Sequence, residues 1–329
     1  MTTPKVSILI PTYNRPDFLP KAVESALRQD YPNLEVIVSD NASSTCLLPV
    51  LAPYLSDPRL KFYQQTENLG MGGNWRKCLY EYASGDWFML LSDDDELLAP
   101  HYIRTVMENL TPRVVLAYAD ACIEHLHSGK QVELHLPFRG VVSGREVFLS
   151  RGTVLPQDFV LCNILFRRAE ALQQGAFLDD LSLAMDTELF LRMCLLGDVY
   201  CLPEITALYR YHPGNLVASL SRHQHYLVNA VNAFIQALTV AAAQQVLSPA
   251  ELHDWQQRNL QPLYENLLLI AQKHHPADYP RLASALQDKM QSAGFLQPCS
   301  LGFKWRLRLL QSTPRPLHKL YTRLKQLSR

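Results

Sequence analysis

Several things are missing from this chain, and each absence narrows what it can be. Its seven cysteines (Cys46, Cys78, Cys122, Cys162, Cys194, Cys201 and Cys299) contain no CxxC pair. Neither a zinc knuckle nor a disulfide framework is therefore indicated, and a reducing compartment is the simplest setting. No apolar run approaches the length that spans a bilayer, and no signal-peptide-like apolar stretch follows Met1, so a cytoplasmic protein is expected. Acidic residues stop at Asp288: from Lys289 onward there are nine Lys/Arg and no Asp/Glu, although the formal net charge is zero. The first 288 residues consequently hold 22 basic and 31 acidic side chains, an acidic body followed by a basic tail. The first strand-like run meets Pro11-Thr12-Tyr13. It lacks both the glycine-rich phosphate loop of a nucleotidyltransferase and the acidic pair of a receiver-type phosphorylation domain. No internal repeat or low-complexity tract interrupts the chain.

With 48% hydrophobic and 19% charged residues, the 329-residue chain has the balance of a folded protein with a sizeable core. Val6–Ile10 and Leu34–Ser39 are short, β-branched apolar runs that read as buried parallel strands, and Leu60–Gln64 reads as a third. Pro16 and Asp17 signal a helix start, with Asn14 or Arg15 near the cap and apolar positions at Phe18, Leu19, Ala22, Val23, Ala26 and Leu27. A helix over 74–83 and a strand over 87–91 follow, then a helix from about Pro100 and a strand over 114–118. Beyond them the sequence predicts a hairpin over 121–135 turning at Ser128-Gly129, a strand over 161–167, a helix over 186–196 and an edge strand over 207–212. Strands alternating with helices predict a mostly parallel α/β sheet covered on both faces, which binds ligands beyond the C-terminal ends of its strands. Past Asn215 the composition turns to Ala, Leu and Gln at helical spacing.

The densest chemical signal is Ser92-Asp93-Asp94-Asp95-Glu96, at the end of an apolar strand. Consecutive hard oxygen donors suit Mg²⁺ or Mn²⁺ bridging to substrate phosphates. The same acids would also serve to cap a following helix. Strand ends at Thr12–Arg15 and Asp40-Asn41 converge on the same crevice, which favours the cation.

Taken in order, Val6–Arg15, Glu35–Ser43, Asn68-Leu69-Gly70, Leu91–Asp95, Met185–Leu189 and Tyr209–His212 resemble the family 2 glycosyltransferases of GT-A fold. The resemblance covers about residues 4–215. It implies transfer of a sugar from a nucleotide-diphosphate donor, of UDP or dTDP type, to an acceptor hydroxyl on a glycan or glycolipid, with inversion at the anomeric carbon. Pro11, Tyr13, Arg15, Asp40, Asn68 and Asp93 would then bind the donor nucleotide. Asp94, Asp95 and His212 would hold Mn²⁺ or Mg²⁺, and Asp186 would be the catalytic base. Ser92 replaces the leading carboxylate of the family's usual acidic motif, which shifts most of the metal assignment to Asp94. Two bland readings remain open: Asp40 closing the Asp40-Asn41 turn, and Asp186 capping a helix. A non-catalytic sugar-nucleotide-binding protein is the rival from another class.

The expected organisation is a transferase domain over 1–215 and a helical region over 216–329. Its tail places Leu317, Leu320, Tyr321, Leu324 and Leu327 at helical spacing among Lys319, Arg323, Lys325 and Arg329. Such a segment can lie on an anionic membrane or pack on the acidic body. No nucleic-acid-binding motif accompanies it.

Overall fold

In the computed structural model the described residues are 3–153, 160–177, 184–215 and 223–294, with 299, 303–304 and 306–308. A ten-stranded sheet organises them. Strands β1 (Val6–Thr12), β2 (Leu34–Asp40), β3 (Leu60–Gln64) and β4 (Trp87–Leu90) lie in the order β3-β2-β1-β4, all parallel. The long strands β6 (Val114–His125) and β10 (Asp198–Tyr211) also run parallel to each other. Between the two blocks β9 (Ile164–Arg167) is antiparallel to both β4 and β6. Three short strands finish the sheet. β5 (Glu96–Leu97) and β8 (Gly140–Ser143) pair with β10, and β7 (Lys130–Leu134) pairs with β6.

Because strand side chains alternate, each apolar run feeds two cores. Leu9, Ile37, Phe88 and Leu90 face one of them, while Ile8, Ile10, Val36, Val38 and Met89 face the other. Helices α1 (Leu19–Leu27) and α4 (Tyr102–Glu108) close the second face with Leu19, Val23, Tyr102 and Val106. Onto the first face pack α5 (Gly144–Ser150) and α7 (Met185–Cys194), which follow the short helices α2 (Leu48–Leu51), α3 (Gly70–Lys77) and, between them, α6 (Arg168–Gln173).

Several expected boundaries move. Helix α1 begins at Leu19 and not near Pro16, because Asn14 takes a left-handed φ of 55° and the chain turns before it coils. The expected 74–83 helix starts at Gly70 and continues as a wide π turn over Cys78–Tyr82. Leu161–Asn163 is a 3₁₀ turn and not strand, since Asn163 is held by its side chain to the carbonyls of Ala119 and Asp120. The expected 207–212 edge strand is the end of the 14-residue β10: β6 bonds it through Tyr211, and the two-residue β5 covers its other side only at Ala207 and Leu208.

The C-terminal region is helical: α8 (Gln224–Asn229), α9 (Asn232–Ala243), α10 (Pro249–His274) and α11 (Tyr279–Ser292). Ser248 and Glu251 form a reciprocal capping box at the start of α10. Fully buried Trp255 stacks on Phe148 at 4.8 Å and donates its indole N–H to the Phe148 carbonyl. One hydrophobic core thus runs from the sheet through these helices. The 20-residue stretch Gln224–Ala243 is long and apolar enough, by composition, to cross a bilayer. Its Leu227, Val231, Phe234 and Ala237 are buried in that core. The basic positions from Arg315 onward lie outside the described residues.

At the opposite end of the sheet from the acids, Glu35 is buried on β2. Burial pushes its carboxyl up, but hydrogen bonds from Lys5, Lys61, Ser7 and the Ser84 amide outweigh this and hold it at about 2. The stability this contributes is complete above the ordinary Glu range and is lost as pH falls towards 2. Glu35→Ala is expected to cost about 2 kcal/mol at neutral pH. Denaturant titration at pH 7 and pH 3 checks it, the difference from the unsubstituted protein shrinking at the lower pH.

Candidate active site

A cleft of about 880 Å³ opens where β1, β2 and β4 end. Pro11, Tyr13, Arg15, Asn68, Asp93, Asp94, Asp95 and Asp186 all line it, so most of the expected site residues meet. Pro11 ends the apolar part of β1, and the left-handed Asn14 swings Arg15 back over the acids.

Asp94 is the hub. One of its oxygens, Oδ2, accepts from an Arg15 Nη1, from His212 Nε2 at 3.1 Å and from Asn215 Nδ2 at 3.0 Å. Its other oxygen accepts no hydrogen bond among the described residues. The Gly214 amide donates to His212 Nδ1 at 3.1 Å, which turns Nε2 towards Asp94 and the Arg15 guanidinium, the latter 3.2 Å away. Phe18 stacks on that ring with centroids 5.1 Å apart.

Asp93 and Asp95 flank the hub differently. Burial, and then the charge of Asp94, push the Asp93 carboxyl up to about 7. Asp95 is raised well above the carboxylate range by the same two causes. It turns away from the hub to accept the Arg210 backbone N–H at 3.0 Å. Among the described residues no three His, Cys, Asp or Glu side chains converge as a ready-made metal cage. Asp94 and His212 are in contact, while the Asp95 carboxylate is engaged by the β10 backbone. The helix-capping alternative is not seen either, since Glu96 and Leu97 pair with β10 as a strand.

Asp40 does not line the cleft. It is fully buried, and its carboxylate accepts from the Ser43 amide at 2.9 Å and Gln64 Nε2 at 3.1 Å. It closes the turn after β2, where Ala42 has φ 60°. The neighbouring Asn41 reaches the cleft instead and bonds Asn68 and the Gly70 carbonyl. Asn74 braces the same strand end, donating to the Ser39 carbonyl and accepting from its hydroxyl. Gly72 of α3 packs against Met185, whose sulfur would be 3.1 Å from an added Cβ, so α3 and the start of α7 approach closely there.

Asp186 occupies the first turn of α7 and is not its cap; Ala184 holds that position. The Asp186 carboxylate accepts the Thr187 amide at 2.6 Å. Withdrawal from water raises its pKa above the ordinary value, and the Thr187 hydrogen bonds offset only part of that rise.

Residues 7–168 match the family model described as glycosyl transferase family 2. Over these residues the chain is a family 2 glycosyltransferase. Among curated relatives of this family 2 chain, the Campylobacter jejuni GalNAc(5)-diNAcBac-PP-undecaprenol β-1,3-glucosyltransferase is 36% identical over 123 residues. That alignment covers 37% of this chain and 39% of the Campylobacter protein. The succinoglycan biosynthesis protein ExoO of Rhizobium meliloti is 26% identical over 93% of this chain and 87% of its own. Two solved structures share the fold. Staphylococcus aureus TarS 1-349, in complex with UDP-GlcNAc, has a TM-score of 0.57 at 14% identity, covering 89% of this chain and 93% of that one. The Pyrobaculum calidifontis mannosyltransferase PcManGT, with GDP-Man and Mn²⁺, has 0.55 at 17% identity, covering 90% and 77%.

The matched segment of this family 2 transferase ends before Asp186 and His212, which the fold brings back to the cleft. Two residues that the sequence did not single out, Asn215 and Arg210, join the site. Asn215 bonds both Asp94 and the His212 amide. Arg210 is buried; its guanidinium donates to the Asp94 carbonyl at 3.1 Å and to Glu96 at 2.5 Å. Arg210 had a findable signal, a lone cation two residues before a site histidine. Asn215 had none beyond the Pro213-Gly214 turn.

Proposed function

We propose that this chain transfers a sugar, with inversion, from a UDP-type nucleotide sugar to an acceptor hydroxyl of a glycan or glycolipid. The observation that carries the reading is a single cleft joining the β1, β2 and β4 ends to Asp186. One relative named as a glucosyltransferase for an undecaprenol-linked glycan and one named for succinoglycan biosynthesis support the acceptor class, and neighbours bound to UDP-GlcNAc and GDP-Man support the donor class.

In this reading Pro11, Tyr13, Asn41 and Asn68 frame the nucleoside, and Arg15 faces the diphosphate. Asp186 accepts the proton of the attacking hydroxyl. Its raised pKa makes it a stronger base than a surface carboxylate. The donor set fits a divalent cation. Asp94 offers an oxygen without a partner, Asp93 lies beside it, and Mg²⁺ or Mn²⁺ takes one or two carboxylates and completes its shell with substrate phosphates. When bound, such a cation stabilises charge on the departing nucleoside diphosphate. Asp94 would hold it, with Asp93 in support and His212 and Asn215 fixing the Asp94 rotamer.

A panel of UDP-, dTDP- and GDP-sugars, assayed for nucleoside diphosphate release with and without Mn²⁺, tests the proposal. Release from at least one donor, lost on chelation with EDTA, is expected. No release from any donor, with nucleotide binding intact, would instead favour the sugar-nucleotide-binding protein.

A further inference from the structure

The cleft has a second wall that the donor reading leaves unused. Where β7, β6 and β10 pair, Ala121 is opposite Leu134, Tyr209 is opposite Ile123 and Tyr211 is opposite His125. With a period of two along each strand, Leu134, Ile123, His125, Tyr209 and Tyr211 fall on one face of this three-stranded patch. All five line the cleft, and Tyr226 of α8 joins them. The intervening Arg210 points the other way, to Glu96 and Glu124. Tyr211 is 39% exposed, and its ring meets His125 with centroids 5.3 Å apart. The Tyr209 hydroxyl has no hydrogen-bond partner among the described residues. Tyr209, Asp94 and Asp186 line the same cleft.

We propose that this β7-β6-β10 face is a saccharide platform that holds the acceptor's sugar ring, with Tyr211 and His125 under the ring and the Tyr209 hydroxyl directing the ring towards Asp186. The inference rests on the transferase reading and adds the chemical class of the acceptor's bound part. A pyranose is apolar on the faces formed by its axial C–H bonds and polar around its rim. Aromatic rings with polar tips match both properties. The acid-lined half of the same cleft is at the ends of β1, β2 and β4, so two sugars can face each other across Asp186.

Saturation-transfer NMR on the full chain, with UDP and Mg²⁺ present, tests this. The probes are the methyl β-glycosides of glucose, galactose and N-acetylglucosamine, with hexanol as a purely aliphatic comparison. At least one glycoside is expected to receive saturation on its ring C–H protons. Tyr211→Ala and His125→Ala should each weaken that signal about ten-fold, and Tyr211→Phe should retain most of it. Thermal unfolding of each variant shows that it is folded, and the second alanine variant covers a failure of the first. No glycoside signal, a signal unchanged in both alanine variants, or saturation of hexanol alone would overturn the platform. UDP calorimetry on the same sample separates the two readings. Protein that binds UDP but no glycoside refutes the platform alone, protein that binds a glycoside but no UDP refutes the donor reading alone, and protein that binds neither refutes both.

Discussion

Asp186→Asn is expected to lower sugar transfer about a thousand-fold, the scale of losing a positioned general base. The amide keeps the shape of the side chain and its place in the first turn of α7 but cannot take a proton. Because burial raises the Asp186 pKa, the sign of its pH dependence follows directly. The ionised base is present above the raised pKa, so the rate of the unsubstituted enzyme falls as pH drops through a value above the ordinary Asp range. The acidic limb should vanish from the residual activity of the Asn variant. An initial-rate profile from pH 4 to 8 on both proteins checks this. A variant with near-normal rates, or one that keeps the same limb, would remove Asp186 from the base role. NMR of the product anomer under the same conditions reports inversion or retention.

Asp94→Ala is expected to reduce transfer by at least about a hundred-fold and to abolish its Mn²⁺ dependence. The size follows from the number of groups that one carboxylate organises. Arg15 comes from the loop after β1, His212 from the end of β10 and Asn215 from the turn beyond, and all three converge on Asp94 Oδ2. Without it three buried or half-buried donors lose their common acceptor, so a loss of stability accompanies the loss of activity. Asp94→Asn separates the two effects, since its amide oxygen can still accept from Arg15. Its melting temperature should stay closer to the unsubstituted protein than its rate does. Rates for Asp94→Ala within a few-fold of normal would place the critical carboxylate at Asp93 or Asp95.

The strands of the donor half were legible because each is a short, mostly apolar run: Val6–Ile10, Leu34–Ser39 and Trp87–Leu90 put apolar side chains into both cores. Their polar ends marked the cleft for the same reason, as the first residues to leave the sheet. Side-chain orientation at those ends was not legible. Asp40 and Asn41 both follow β2, and only the left-handed turn at Ala42 decides that the asparagine reaches the cleft while the aspartate is sealed beneath it. Asp95 looked equivalent to Asp94 until the Arg210 amide, more than a hundred positions away in sequence, claimed it. The antiparallel β9 was also hidden, since direction within a sheet is set by tertiary pairing and not by the apolar run itself. The basic tail announces its charge plainly, but what it meets depends on surfaces that no local pattern encodes.

Among the described residues the β6–β7 hairpin leaves β7 bonded along one side only, to β6, as the outermost element of the patch proposed to hold the acceptor. Substitutions and length changes there can reshape one wall without disturbing β1, β2 or β4, whose ends carry the donor groups. Recognition of what is built upon is thus mechanically uncoupled from recognition of what is added. A transferase arranged this way can change partners by exchanging one peripheral strand while keeping its chemistry, and chimeras swapping residues 126–135 among relatives are the natural way to redirect it.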